Sequence, residues 1–186
     1  MSTSIIQPKA GTSTWQIDRV HSSAQFKVKH MMISNVLGEF ASIVGVLELD
    51  EDDITKSKIR AAIEADSVNT REHQRDAHLK SRDFFHVEKH PSLTFNSTSI
   101  WNAYGELKVS GELTIRGVTR NVVFDVKSPS TAQKDPWGNT RIRLCATARI
   151  NRKDFGLTWN TALEAGGFLV GDAVTITLDV QFVKER

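Results

Sequence analysis

The sequence predicts an all-β domain, closed as an up-and-down antiparallel barrel, and three observations carry that expectation. Apolar and polar residues alternate with a period of two through most of the chain, the pattern of antiparallel strands with one wet face. Several of these runs extend for ten residues or more, and short turn sequences join them. Closing long, hairpin-linked strands into a barrel removes the exposed edges that an open sheet keeps.

The alternation starts at "TWQID" (14–18) and is clear in "SSAQFKVKH" (22–30), where Ala24, Phe26, Val28 and His30 share one face. It continues through 36–50, with a change of phase near Val44-Gly45 that predicts a bulge or bend. "KIRAAIEA" (58–65) and "SLTFNSTSI" (92–100) follow, then "ELKVSGELTIRG", "NVVFDVKS", "RIRLCATARI" and "AVTITLDVQFVK", giving eight or nine strands. Turn-rich sequences such as "WNAYGE" and "SPSTAQKDPWGN" separate them. A flexible tail over residues 1–12 and a single domain over 13–186 complete the organisation. Small residues at inward positions (Ala24, Ala61, Ala65, Gly111, Ala146, Ala148) suit either a filled barrel or one left hollow for a ligand.

One segment departs from the pattern. "DSVNTREHQRDAHLKS" (66–81) is built of helix formers, with an N-cap near Asn69 or Thr70 and an Asp76–Lys80 pair at i,i+4. It carries little apolar surface, so it is expected across a barrel end, with Phe84 and Phe85 either lining the opening or anchoring the connection.

Composition narrows the function. A net charge of +2 offers no grip on nucleic acid, although residues 116–153 hold nine Lys or Arg against Asp125 and Asp135. Those cations read as a solvated face, or as a surface for transient contact with anionic membranes. The single cysteine, Cys145, rules out an internal disulfide. No secretory signal and no run long enough to span a membrane is present, so a cytoplasmic location is expected. All six histidines lie between 21 and 90, without a metal-ligand spacing. Neither a nucleophile elbow nor a phosphate-binding glycine loop occurs. No cofactor, metal or catalytic residue is assigned, and the residues carry no signal of an enzyme.

The motifs together identify a resemblance. "WQIDRVHSSAQFKVKHMMISNVLGEF", "SVNTREHQRDAHLKSRDFF", "HPSLTF", "GELTIRGVTRNV" and "INRKDFGL" occur in the order seen in the YceI-like family, lipocalin-like polyisoprenoid-binding proteins, and span Trp15 to about Val183. The resemblance implies an eight-stranded, elongated antiparallel barrel around an apolar channel, with a short helix inserted between strands 4 and 5. It implies a long-chain isoprenoid or similar amphiphile, of polyprenyl or quinone type, as partner, and commonly a homodimer. The channel lining is then assigned to Phe26, Val28, Phe40, Ile63, Phe95, Leu113 and Phe124. The mouth is assigned to His78, Leu79, Phe84, Phe85 and Phe155, with a polar head meeting His78. The alternative reading is an enzyme acting on a lipophilic isoprenoid substrate, with His78 and Asp76 as acid and base.

Overall fold

The computed structural model describes residues 11–127 and 129–186. Among the described residues twelve strands are present: β1 (Thr12–Ile17), β2 (Ser23–His30), β3 (Ser34–Phe40), β4 (Ile43–Asp50), β5 (Lys58–Glu64), β6 (Val68–Asn69), β7 (Ser92–Ala103), β8 (Glu106–Ile115), β9 (Val118–Val126), β10 (Gln133–Lys134), β11 (Thr140–Asn151) and β12 (Val170–Lys184). One α-helix, α1 (His73–Lys80), lies between β6 and β7.

These segments form a closed ring of eight antiparallel staves, because β1 and β2 are one stave and β3 and β4 another. Both β1 and β2 lie along the same side of β12, at Ile17↔Phe182 and Ala24↔Leu178. The neighbouring stave pairs β4 with β1 and β3 with β2. The ring then runs through β5, β7, β8, β9 and β11, and returns to β12 over eleven residue pairs. The helix does follow the fourth stretch of extended chain. Counted around the ring, however, it follows the third stave, since the first two stretches share β12.

Local chemistry explains both breaks. Asp18 ends β1 by accepting from Val20 N at 3.0 Å and holding His21 Nδ1 at 2.9 Å, which winds Arg19–His21 into a 3-10 turn. Ser22 then restores the chain to β12, its Oγ accepting from Gln181 N at 3.0 Å. The second break falls at Ala41-Ser42, not at Val44-Gly45, where β4 pairs with β5 in regular register. There Ala41 N and Ser42 N donate to Ser67 O and Ser67 Oγ at 3.1 Å, so the turn at 65–67 replaces the ladder partner.

Residues 1–10 of the expected tail lie outside the described residues; Thr12 is already paired with Asp50. The helix is capped by Glu72, whose carboxylate accepts from Gln74 N and Arg75 N, rather than by Asn69 or Thr70. Asp76 does not meet Lys80. It accepts from Thr70 N and Oγ1 at 2.8 and 2.6 Å, while Lys80 reaches Asp66 at 3.2 Å.

Candidate functional site

Alternation along eight staves directs one residue in two to the barrel axis. At the end covered by α1 those side chains do not meet, and they enclose a cavity of about 530 Å³. Its wall is almost wholly hydrocarbon. Phe26 and Val28 come from β2, Phe40 from β3, Ile63 from β5, Phe95 from β7, Leu113 from β8 and Phe124 from β9. His78, Leu79, Phe84 and Phe85 close it from the helix and the turn that follows. Of the residues assigned from sequence, only Phe155 is displaced: it is 1% exposed in the turn after β11 and does not line the cavity. The turn at Arg152–Phe155 folds its phenylalanine into the packed core.

Two glycines make room for the aromatic wall. An added Cβ on Gly38 would lie 2.2 Å from Phe26 Cζ, and one on Gly111 would lie 2.4 Å from Phe95 Cζ. Each ring therefore lies flat over a glycine of the neighbouring strand, where any side chain would collide with it. Phe26 leans on Phe40 (centroids 5.7 Å) and Phe40 on Phe85 (5.6 Å). Phe95 meets Phe124 edge to face at 5.2 Å.

The mouth holds an aromatic cluster that periodicity did not reveal. His78 packs edge to face on Phe84 at 5.0 Å and on Trp159 at 4.5 Å. Its Nε2 lies 2.8 Å from Asp83 Oδ2. Asp83, not Asp76, is thus the carboxylate on this imidazole; Asp76 is occupied by Thr70, so the expected His78–Asp76 couple is not formed. Glu72, Gln74 and Arg75 add polar edges beside His78.

Trp159 is held by a second residue that sequence reasoning missed, Arg152. The residue is 3% exposed, and its guanidinium donates to the carbonyls of Gly171 (2.8 Å), Leu157 (2.6 Å), Trp159 (2.9 Å) and Val170 (3.3 Å). Burial lowers its pKa, and Asp172 Oδ1 at 3.9 Å opposes that shift. One cation thus ties the loop before β12 to the barrel. The sequence signal for it was its place in "INRKDFGL", inside the basic stretch read as surface.

That stretch is neutralised in part. Arg141 pairs with Asp18 and Asp135, Arg143 with Asp179, and Lys153 with Asp172. Arg120, Lys127, Lys134 and Arg149 remain exposed. Among the described residues no group of three or more His, Cys, Asp or Glu is placed to hold a metal ion, and no helix is long and apolar enough to cross a membrane.

Comparison with known proteins follows the same geometry. The profile of the YceI-like domain matches residues 15–182. A UPF0312 protein of Staphylococcus aureus (strain MSSA476) is 35% identical over 170 residues, covering 91% of this chain and 97% of its own. The crystal structure of the Campylobacter jejuni YceI protein superposes with a TM-score of 0.71 at 29% identity, over 86% of this chain and 91% of that one. A polyisoprenoid binding domain from Saccharophagus degradans shares the fold with a TM-score of 0.66 at 14% identity, over 92% and 98%.

Proposed function

The chain belongs to the YceI-like domain family, and from that premise we propose that its channel binds a long-chain isoprenoid or similar amphiphilic lipid, of polyprenyl or quinone type. The observation that carries this reading is the cavity itself, about 530 Å³ bounded almost entirely by hydrocarbon and open beside a small polar cluster. A hydrocarbon chain gains about 0.8 kcal/mol for each CH₂ taken from water. Tight binding needs no directional contact inside such a channel. A polar cluster lies at the mouth, where Glu72, Gln74, Arg75 and the Asp83-bonded His78 can meet a hydroxyl or quinone head. The shared fold with a polyisoprenoid binding domain supports the same class of ligand.

The role that fits is carriage, storage or sequestration rather than turnover. His78 has a carboxylate partner, but it is wedged between two aromatic rings and faces a mostly hydrocarbon channel. Purified protein, extracted with organic solvent and analysed by mass spectrometry, is expected to yield a prenyl lipid in stoichiometric amount. An empty barrel whose melting temperature is unmoved by any added isoprenoid would end this reading. A homodimer belongs to the same proposal, and sedimentation velocity tests it separately.

A further inference from the structure

At the mouth end the β2–β3 turn carries three consecutive apolar side chains to the outside of the molecule. Met31, Met32 and Ile33 are 44, 55 and 83% exposed, and Phe168, from the facing loop, is 57% exposed. The two segments are in contact. Met31 N donates to Leu169 O at 2.8 Å, and the Cβ position on Gly167 lies 3.1 Å from Met32 Cγ. Met31 and Met32 also occupy the left-handed region, at φ 52° and 62°, where Asn or Gly is the usual choice in a solvated hairpin. The turn thus spends unfavourable backbone positions on exposed methionines.

This prow is continuous with the cavity. His30 and Leu169, next to Met31 and Phe168, line the cavity wall, as do Lys29 and Val170. Through Val170 the contact chain reaches Asn160, and through Arg152 it reaches Trp159 at the mouth. Around the turn itself the charge is basic, and the nearby Asp172 is paired with Lys153. From Arg19 to Gly38 the chain holds Arg19, Lys27 and Lys29 and no acidic residue. The facing loop 160–169 contributes a single acid, Glu164.

We infer that the prow formed by Met31, Met32, Ile33 and Phe168 docks on an anionic phospholipid bilayer, with Lys27 and Lys29 at the headgroups. The lipid cargo then passes between bilayer and cavity without crossing water. The inference rests on the lipid-binding reading. An apolar tip edged with lysines matches the interface chemistry of such a surface, with hydrocarbon below and negative charge above.

The test is co-sedimentation of the full chain with phosphatidylcholine vesicles, with and without phosphatidylglycerol. The wild type is expected to pellet with the anionic vesicles. Ile33→Asp combined with Phe168→Asp, both at exposed positions, should weaken partitioning by at least about tenfold. Lys27→Ala with Lys29→Ala should remove most of the preference for anionic vesicles, about tenfold. Wild type that stays in the supernatant, or a double-aspartate variant that pellets equally, overturns the docking. So does a variant that dissociates a dimer while leaving vesicle binding unchanged, because a second copy would then cover this face. Thermal shift with an isoprenoid alcohol in detergent micelles keeps the two readings apart. The variant should show the wild-type shift; no shift in either protein removes the lipid-binding reading on which the docking depends.

Discussion

His78 stands edge-on to the ring of Trp159, with centroids 4.5 Å apart. That one contact joins α1, which covers the barrel end, to the loop that enters β12. Because Phe84 touches both rings, at 5.0 and 5.6 Å, the three side chains form one aromatic cluster on the cavity wall. Trp159→Ala is expected to lower stability by about 3 kcal/mol, while Trp159→Phe retains most of it. The alanine variant should also release a bound isoprenoid about tenfold faster, equivalent to ~1.4 kcal/mol. Stopped-flow transfer to acceptor vesicles reads that rate, and an unchanged rate in the alanine variant would place the exit elsewhere.

Arg152 acts through the same loop without touching its rings. Replacing it with Met leaves four backbone carbonyls without their donor, at a cost of about 3–5 kcal/mol. Arg152→Lys should recover only part of this, since one ammonium cannot reach four acceptors spread over residues 157–171. Urea unfolding of the three proteins is expected to rank them Arg, Lys, Met. Equal midpoints would mean that water replaces the guanidinium.

Arg141 is expected to account for part of the acid limb of stability. Its hydrogen bond holds Asp18 down to about 2 from an ordinary 3.8, and it keeps the Asp135 carboxyl well below the usual range. Both folded-state values are depressed, so their contribution is complete above about pH 4. It is lost as pH falls from there through about 2. Melting temperature should therefore drop across that window in the wild type. Arg141→Met, which removes the shared partner, should start lower and show a shallower slope between pH 4 and 2. A parallel decline in both proteins would assign the acid sensitivity to other carboxylates.

The barrel and most of its cavity wall could be read from the sequence because both rest on the same period of two. Once Phe26, Ile63, Phe95, Leu113 and Phe124 fall at inward positions of long strands, closure brings them together. Alternation is local, however, and does not report which edge a strand lies on. Hence β1 and β2 read as separate strands although both lie along β12. Arg152 and Trp159 lie in irregular backbone, where no period exists and where the partners of Arg152 are main-chain carbonyls that every sequence possesses. Phe155 is expected at the mouth, whereas the 3-10 turn buries it outside the cavity lining.

Gly38 provides a direct handle on channel capacity. The heavy atoms nearest its Cβ position all belong to the Phe26 ring, at 2.2, 2.6 and 2.9 Å. Gly38→Ala therefore forces that ring to swing, and the cavity it lines is the open space beside it. The fold should survive with a loss of about 1–3 kcal/mol, while the usable length of the channel falls. With a series of isoprenoid alcohols of increasing length, the longest member that raises the melting temperature should be shorter in Gly38→Ala than in wild type. Gly111→Ala is the control. Its Cβ would meet not only Phe95 but also the backbone oxygen of Asn96 at 2.5 Å, which cannot rotate away, so it should lose more stability than Gly38→Ala. If both variants tolerate the full series, the aromatic wall does not set the length of chain the barrel accepts.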